Sequence, residues 1–218
     1  MHLSRLRFHA LDPRAARLLG NRYRLHAALM RGYADVGKDE RVLFRVEPVT
    51  GRSAWQDVLV QGRNVPDWTP LLEDYGHACQ AQSKAFAVEP SAGQRYRFRL
   101  LANPTVTRDR KRRGLVGESA QREWLERRAE GCGFRLLDCT VSDEGLLPAW
   151  KKDEGQEPPK GQKPRGKRLT IRAARYEGML QIIEPKAFGK TLENGIGPAK
   201  GLGCGLLSLA PSKTQRDG

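Results

Sequence analysis

The sequence predicts an α+β fold in two tandem halves, and three observations carry that expectation. Residues 2–76 read strand, helix, strand, strand, helix, which is most of the split βαβ unit called ferredoxin-like. A loose span from Gln80 to Gly93, holding Pro90, Ser91 and Gly93, then breaks the pattern. Beyond it Q-R-Y-R-F-R-L-L, the sharpest strand in the chain, opens a second series of strands and helices. The expected division is a ferredoxin-like unit over residues 1–92, a second and partly irregular one over 93–211, and a disordered tail at 212–218.

Composition narrows the partner. Lys and Arg total 39 against 25 Asp and Glu, a net charge of +14. Such an excess suits counterion-releasing contact with nucleic-acid phosphates better than a small acidic substrate, although ribosomal and membrane-surface proteins share it. Cysteines 79, 132, 139 and 204 are scattered, with no Cys-x-x-Cys pair and no histidine at metal-ligand spacing. The expectation is a reducing compartment with no metal and no cofactor. The N-terminal M-H-L-S-R-L-R-F-H-A lacks a signal peptide's apolar run, and no apolar window is long enough to span a bilayer. A soluble cytoplasmic protein without membrane contact follows.

In chain order, His2 to Phe8 alternates as a half-buried strand, with Leu6 and Phe8 opposite Arg5 and Arg7. Asp12-Pro13 starts a short helix, Gly20-Asn21 interrupts it, and Asn21 caps a second helix, R-Y-R-L-H-A-A-L-M-R-G. Leu25, Ala28, Leu29 and Gly32 form its inner face; Tyr23 lies nearly opposite and His26 to the side. Such a pair is either two surface rings or an acid/base couple. Arg24 and Arg31, on the same helix, are candidates to hold phosphate. R-V-L-F-R-V-E-P and S-A-W-Q-D-V-L-V-Q read as strands joined at Thr50-Gly51, and W-T-P-L-L-E-D-Y as a helix.

In the second half Arg95, Arg97 and Arg99 form a basic stripe on one face of a strand whose other face carries Tyr96, Phe98 and Leu100. The run R-D-R-K-R-R follows in what reads as a loop, with Arg108, Arg110, Lys111, Arg112 and Arg113 opposed only by Asp109. Ser119 to Glu130 reads as a helix and F-R-L-L-D-C-T-V as a strand. Lys151 to Arg168 has seven basic residues to three acidic and too few apolar ones to fold alone, so it is either a linker or a long hairpin tip carrying Lys160, Lys163, Arg165, Lys167 and Arg168. Strand signals at Leu169 to Tyr176 and Gly178 to Ile183, then a helix from Pro185 to Asn194, lead to the last segment.

That segment is E-N-G-I-G-P-A-K-G-L-G-C-G-L-L-S-L-A-P, residues 193–211. Five glycines (Gly195, Gly197, Gly201, Gly203, Gly205) surround Lys200 before a short apolar strand, Leu206 to Ala210. A Walker A loop needs its lysine after the glycine and a hydroxyl next, and a dinucleotide fingerprint needs glycine where Lys200 stands; neither fits. The loop is either a turn shaped by packing or a backbone cradle for an anion.

These residues resemble the signature loop of the CasE family, the CRISPR-associated endoribonucleases of the repeat-associated RNA-binding superfamily that serve the type I-E Cascade complex. N-R-Y-R-L-H, residues 21–26, resembles the family's catalytic helix, and A-N-P, residues 102–104, its R-A-N-P segment with Leu101 in place of the arginine. The resemblance implies two tandem ferredoxin-like, RRM-like domains. It makes His26 a general acid/base with Tyr23 as partner, and places a basic hairpin in the groove of an RNA stem-loop. Gly197, Lys200, Gly201 and Gly203 become RNA-contacting residues. The implied substrate is the stem-loop of a CRISPR repeat transcript. It would be cut once at the base of the hairpin by 2′-OH attack, giving a 2′,3′-cyclic phosphate, a 5′-hydroxyl and a mature crRNA retained with the other Cascade subunits. Two rivals stand beside it: a non-cleaving RNA-binding subunit of the same fold, and a general nucleic-acid-binding protein.

Overall fold

The computed structural model describes residues 1–34, 36, 40–49, 51, 53–151 and 167–212. Its first half is organised around β1 (His2–His9), where Leu6 and Phe8 face inward. Ser4 shares that face and is fully buried, because its hydroxyl meets Ser83 Oγ at 2.8 Å and accepts from Trp68 Nε1 at 3.1 Å. In α1 (Pro13–Leu19) Asp12 accepts from the N–H groups of Arg14 and Ala15, a cap worth about 1 kcal/mol. Asn21 does the same for α2 (Arg22–Arg31), accepting from Tyr23 N. The expected hairpin is β2 (Leu43–Val46) with β3 (Trp55–Gly62), and α3 (Thr69–Tyr75) follows. At its turn Thr50 lies outside the described residues, and Gly51 has φ 65°.

The span expected to be loose from Gln80 instead begins with a strand, β4 (Cys79–Ala85), paired to β1. C-Q-A-Q-S-K-A has no β-branched or aromatic residue, and most of it is exposed at a sheet edge, so it lacks the apolar alternation that marks a strand. The sheet order is β2-β3-β1-β4, with every neighbour antiparallel. Phe8, Phe44, Val58 and Val60 pack against Leu18, Leu25, Leu29 and Leu71 of the helices, each such side chain contributing about 1.5–3 kcal/mol.

The second half repeats the plan: β5 (Arg95–Ala102), an inserted hairpin of β6 (Thr105–Arg108) and β7 (Lys111–Gly114), α4 (Glu118–Ala129), β8 (Phe134–Lys151), β9 (Lys167–Ile182), α5 (Pro185–Asn194) and β10 (Leu207–Pro211). Its sheet runs β10-β5-β9-β8, which is the first sheet's order of last, first, third, second. These are two tandem ferredoxin-like domains. Trp124, Leu125, Phe188 and Leu192 from the helices close over Phe98, Leu100, Tyr176 and Leu180.

Three further expectations are corrected here. The basic run is not a loop: Asp109 and Arg110, with φ 51° and 59°, form the two-residue turn of the β6–β7 hairpin. Its second strand, K-R-R-G, carries charge on both faces, so alternation of apolar and polar residues could not reveal it. The strands at 134–141, 169–176 and 178–183 belong to two long strands, β8 and β9, whose pairing bulges between Leu136 and Asp138. Gly178 sits at that bulge, where a Cβ would fall 2.1 Å from Asp138 O, so it marks a close approach of backbones and not a break. Finally, Ser212, expected to begin a disordered tail, is 3 % exposed; residues 213–218 lie outside the described residues.

Candidate active site and nucleic-acid interface

The site forms where α2 of the first domain meets the glycine-rich segment of the second. Leu25 and Leu29 anchor α2 in the core and turn the intervening His26 toward the chain's C-terminal loop. Its ring stacks on Phe44, 6.1 Å between centroids and 12° from parallel. On its other edge a Cβ built on Gly201 would lie 3.3 Å from Nε2, so the loop backbone presses against the imidazole. Nδ1 is buried without a hydrogen-bond partner. Burial lowers the pKa of His26 below its ordinary 6.5, so the ring is neutral at neutral pH with one nitrogen free to accept a proton.

The loop is a closed structure. Ile196 N donates to Gly205 O at 2.9 Å and Gly205 N to Leu101 O at 2.7 Å, pinning both ends. Between them Lys200–Leu202 makes one 3-10 turn, flanked by Ala199 and Gly203 in the left-handed region at φ 62° and 87°. The alternatives left by the sequence fall on different residues. A Cβ on Gly197 would meet Trp124 at 2.8 Å and one on Gly203 would meet Phe44 at 3.0 Å, so both have a packing reason of their own. Gly201 is the glycine that faces His26. Lys200 is half-buried beside it, and burial lowers its pKa, with Arg41 adding to the effect.

The remaining helix candidates are dispersed. Tyr23 is half-buried; among the described residues its hydroxyl makes no hydrogen bond and its ring no aromatic pair, and its backbone N–H donates to Asn21 Oδ1 at 3.1 Å. Arg24 is exposed; Arg31 is exposed and ion-paired with Asp74 of α3. At about 100° per residue they point roughly 160° and 140° away from His26. Arg22, one turn before His26 and about 40° from it, is on the right face. Its Nε and Nη1 are buried without partners, and burial lowers its pKa while Cys204 of the loop and Glu144 of β8 act against that. Sequence reasoning missed Arg22; its i, i+4 spacing from His26 was the available signal.

A second region lies beyond the loop. Arg108, Arg110 and Lys111–Arg113 stand exposed on the β6–β7 hairpin. Between that hairpin and α4 runs a cleft of about 920 Å³, lined by Arg108, Arg112, Trp124, Arg127 and Arg128 and reaching the glycine loop at Gly197. The Arg128 guanidinium lies over the Trp124 ring at 4.2 Å. The basic stripe on β5 is partly neutralised instead, since Arg99 pairs with Glu47 at 2.7 Å and with Glu177. Lys167 and Arg168 lie in β9 opposite Lys151 and Trp150, whereas Lys160, Lys163 and Arg165 fall outside the described residues. Among the described residues no group of three or more His, Cys, Asp or Glu is placed to hold a metal, the four cysteines are unpaired, and no helix is long and apolar enough to cross a membrane.

With this geometry in hand, likeness to known proteins decides the family. Residues 1–211 match the family described as CRISPR associated protein. The chain is 36% identical to the CRISPR-associated endoribonuclease Cse3 of Thermus thermophilus, over 97% of this chain and all of the relative. It is 31% identical to the CRISPR system Cascade subunit CasE of Escherichia coli, over 87% of this chain and 92% of that one.

The chain belongs to the CasE family.

A structure of the endoribonuclease Cse3 bound to 19 nt RNA superposes with a TM-score of 0.83 at 37% identity, covering 97% of this chain and all of the other. The span shared with the CasE family takes in α2, the β6–β7 hairpin and the glycine loop, and leaves out residues 212–218.

Proposed function

We propose that this chain is an endoribonuclease that binds the stem-loop of CRISPR repeat transcripts, cuts once at the base of the hairpin and stays with the mature crRNA in Cascade. The observation that carries this reading is a neutral, desolvated His26 whose Nε2 lies against the backbone of a glycine loop that a basic cleft reaches at Gly197. Relatives of similar length that are an endoribonuclease, an RNA-bound protein and a Cascade subunit support it.

RNA supplies its own nucleophile. The 2′-oxygen attacks phosphorus as its proton passes to the His26 imidazole, and the P–O5′ bond breaks as the leaving oxygen takes a proton from the Tyr23 hydroxyl. The products are a 2′,3′-cyclic phosphate and a 5′-hydroxyl. A neutral histidine suits the base and a phenol O–H suits the acid. Arg22 and Lys200 stabilise charge building on the phosphorane oxygens, with the loop amide of Gly201 beside them. The β6–β7 hairpin, the α4 arginines and the β8–β9 hairpin hold the stem. We place the domain boundary at residues 92 and 93 and the site of action in the cytoplasm.

The test is cleavage of a stem-loop repeat RNA in EDTA beside an RNA whose 2′-OH at the cut is replaced by hydrogen. One cut in the first, ending in a cyclic phosphate, and none in the second is the expected result. Tight binding with no cut in either would make the chain a non-cleaving RNA-binding subunit. Cutting of the deoxy substrate would remove the 2′-OH from the mechanism.

A further inference from the structure

The strand β2 touches the glycine-rich loop with three consecutive side chains. Leu43 meets Gly195 at the loop's entry, where a Cβ would lie 3.0 Å from its methyl groups; Phe44 lies under Gly203 and against His26; and Arg45 reaches Leu206, one residue past the loop's pinned exit. Successive side chains of a strand face opposite ways, so this edge strand holds the loop from both sides.

Arg45 is the unusual member. It is a cation 3 % exposed, and four of its five N–H donors are used in hydrogen bonds. Nε donates to Glu47 Oε1 at 2.7 Å, Nη1 to the backbone oxygens of Arg99 at 3.0 Å and Leu206 at 3.1 Å, and Nη2 to Ser208 Oγ at 3.0 Å, while Nη2 is also ion-paired with Glu47 Oε1 at 2.6 Å. Three of those acceptors belong to the second domain. Burying a guanidinium across a domain contact is costly even when it is fully paired, and apolar residues hold such contacts as well or better. What the planar fork adds is registry: it fixes Arg99 O, Leu206 O and Ser208 Oγ relative to one another and to β2.

We propose that Arg45 is a positioning residue for RNA cleavage: it locks the exit of the glycine-rich loop onto β2, so that Gly201 stays seated against the imidazole that Phe44 supports. This rests on the assignment of His26 above. The pair Arg99–Glu47 joins the same two halves without touching the loop, and Arg99–Glu177 ties β5 to β9 within the second sheet. Loss of general domain docking can therefore be told from loss of the loop's seat.

The experiment compares wild type, Arg45→Lys and Arg99→Met as full chains, each checked for an unchanged thermal unfolding profile. Three quantities are read: single-turnover cleavage of the stem-loop RNA, affinity for the 2′-deoxy hairpin, and the titration of His26 by NMR on histidine-labelled protein without RNA. Arg45→Lys keeps the charge but not the fork. Its cleavage rate is expected to fall by about 10²-fold, the cost of a small misplacement at a reacting centre, with hairpin affinity within about threefold of wild type. Its His26 pKa should rise toward the ordinary 6.5 as the loop lifts and water enters.

The charged groups near His26 on the elements packed around it include Arg22, Arg24 and Arg31 on its own helix, Arg45 on β2, Lys200 on the loop, Asp143 and Glu144 on β8, Arg14 and Arg17 on α1 and Glu73 and Asp74 on α3. Of these only Arg45 is altered, and Arg45→Lys keeps its charge. Arg99→Met is expected to leave rate and titration at wild-type values. An unmoved His26 titration in Arg45→Lys, or an equal loss of rate in Arg99→Met, overturns the proposal. Absence of cleavage by wild type would overturn the function assigned above, and the His26 titration would still decide whether Arg45 seats the loop.

Discussion

His26 and the β6–β7 hairpin work under opposite conditions. The imidazole is pressed between Phe44 and the backbone at Gly201, with one nitrogen buried and unpaired. Lys111 to Gly114 is exposed at every residue and its arginines reach into open solvent. In the first region a low effective dielectric keeps a base neutral and makes each nearby charge count; in the second, water screens each charge and binding comes from their number. Chemistry and affinity should therefore separate cleanly on mutation.

The largest effect should come from His26→Ala. Cleavage is expected to fall by about 10³-fold, within the usual span for a general acid/base, while hairpin affinity changes little; single-turnover rates beside binding to the deoxy hairpin measure both. Affinity lost in step with rate would put His26 in the binding surface and break the comparison. The wild-type pH profile sharpens it. With the folded pKa of His26 held below 6.5 by burial, the acid limb of the rate should also fall below that value. The sign for stability is the same. Between the folded and unfolded pKa the unfolded chain binds more protons, so His26 favours folding above 6.5 and that contribution is lost as pH falls through its lowered value.

Removing hairpin charge should do the reverse. Arg112→Ala with Arg113→Ala is expected to weaken RNA binding by about tenfold or more and to flatten the salt dependence by roughly two counterions, one for each cation. The cleavage rate at saturating protein should stay near wild type. A rate loss that saturating protein does not restore would mean that the hairpin also aligns the scissile phosphate.

How much of this could be read from the sequence followed the same division. Asp12, Asn21 and the Leu25/Leu29 stripe fixed the helix that carries His26, because caps and periodicity are local signals. The order of elements fixed the fold class for a similar reason. The β6–β7 hairpin was hidden because Arg and Lys occupy both faces of its second strand, and β4 because C-Q-A-Q-S-K-A lies at an exposed edge. Arg45 was out of reach for another reason: its acceptors at Arg99, Leu206 and Ser208 come from 54, 161 and 163 residues away, and no spacing rule spans that distance. The glycine loop announced a special backbone but not the reason for each glycine.

That last division can be tested within the loop. Gly203 has φ 87° and would bring a Cβ to 3.0 Å from Phe44, whereas Gly201 has no positive φ and would bring one to 3.3 Å from His26 Nε2. Gly203→Ala should therefore cost about 1–2 kcal/mol of stability. Gly201→Ala should unfold like wild type and lose cleavage by about tenfold, through crowding at the base. Denaturant unfolding beside cleavage rates separates them, and equal stability of the two variants would contradict the packing reason given to Gly203.

The smallest effects are expected from the two other arginines of α2. Arg24 is exposed and points away from the loop, and Arg31 is tied to Asp74 of α3 on a half-exposed surface. An exposed ion pair contributes about 0–1 kcal/mol, so Arg31→Ala should change stability slightly and leave cleavage within about threefold, and Arg24→Ala should do even less. Arg22→Gln is the counterpart on the facing side. It keeps much of the side chain's bulk but removes the cation one turn from His26, and a rate loss there of about tenfold or more is expected. If Arg31→Ala lost more rate than Arg22→Gln, the phosphate would have to approach α2 from the α3 side, and the cleft leading from the basic hairpin to Gly197 could not be its route.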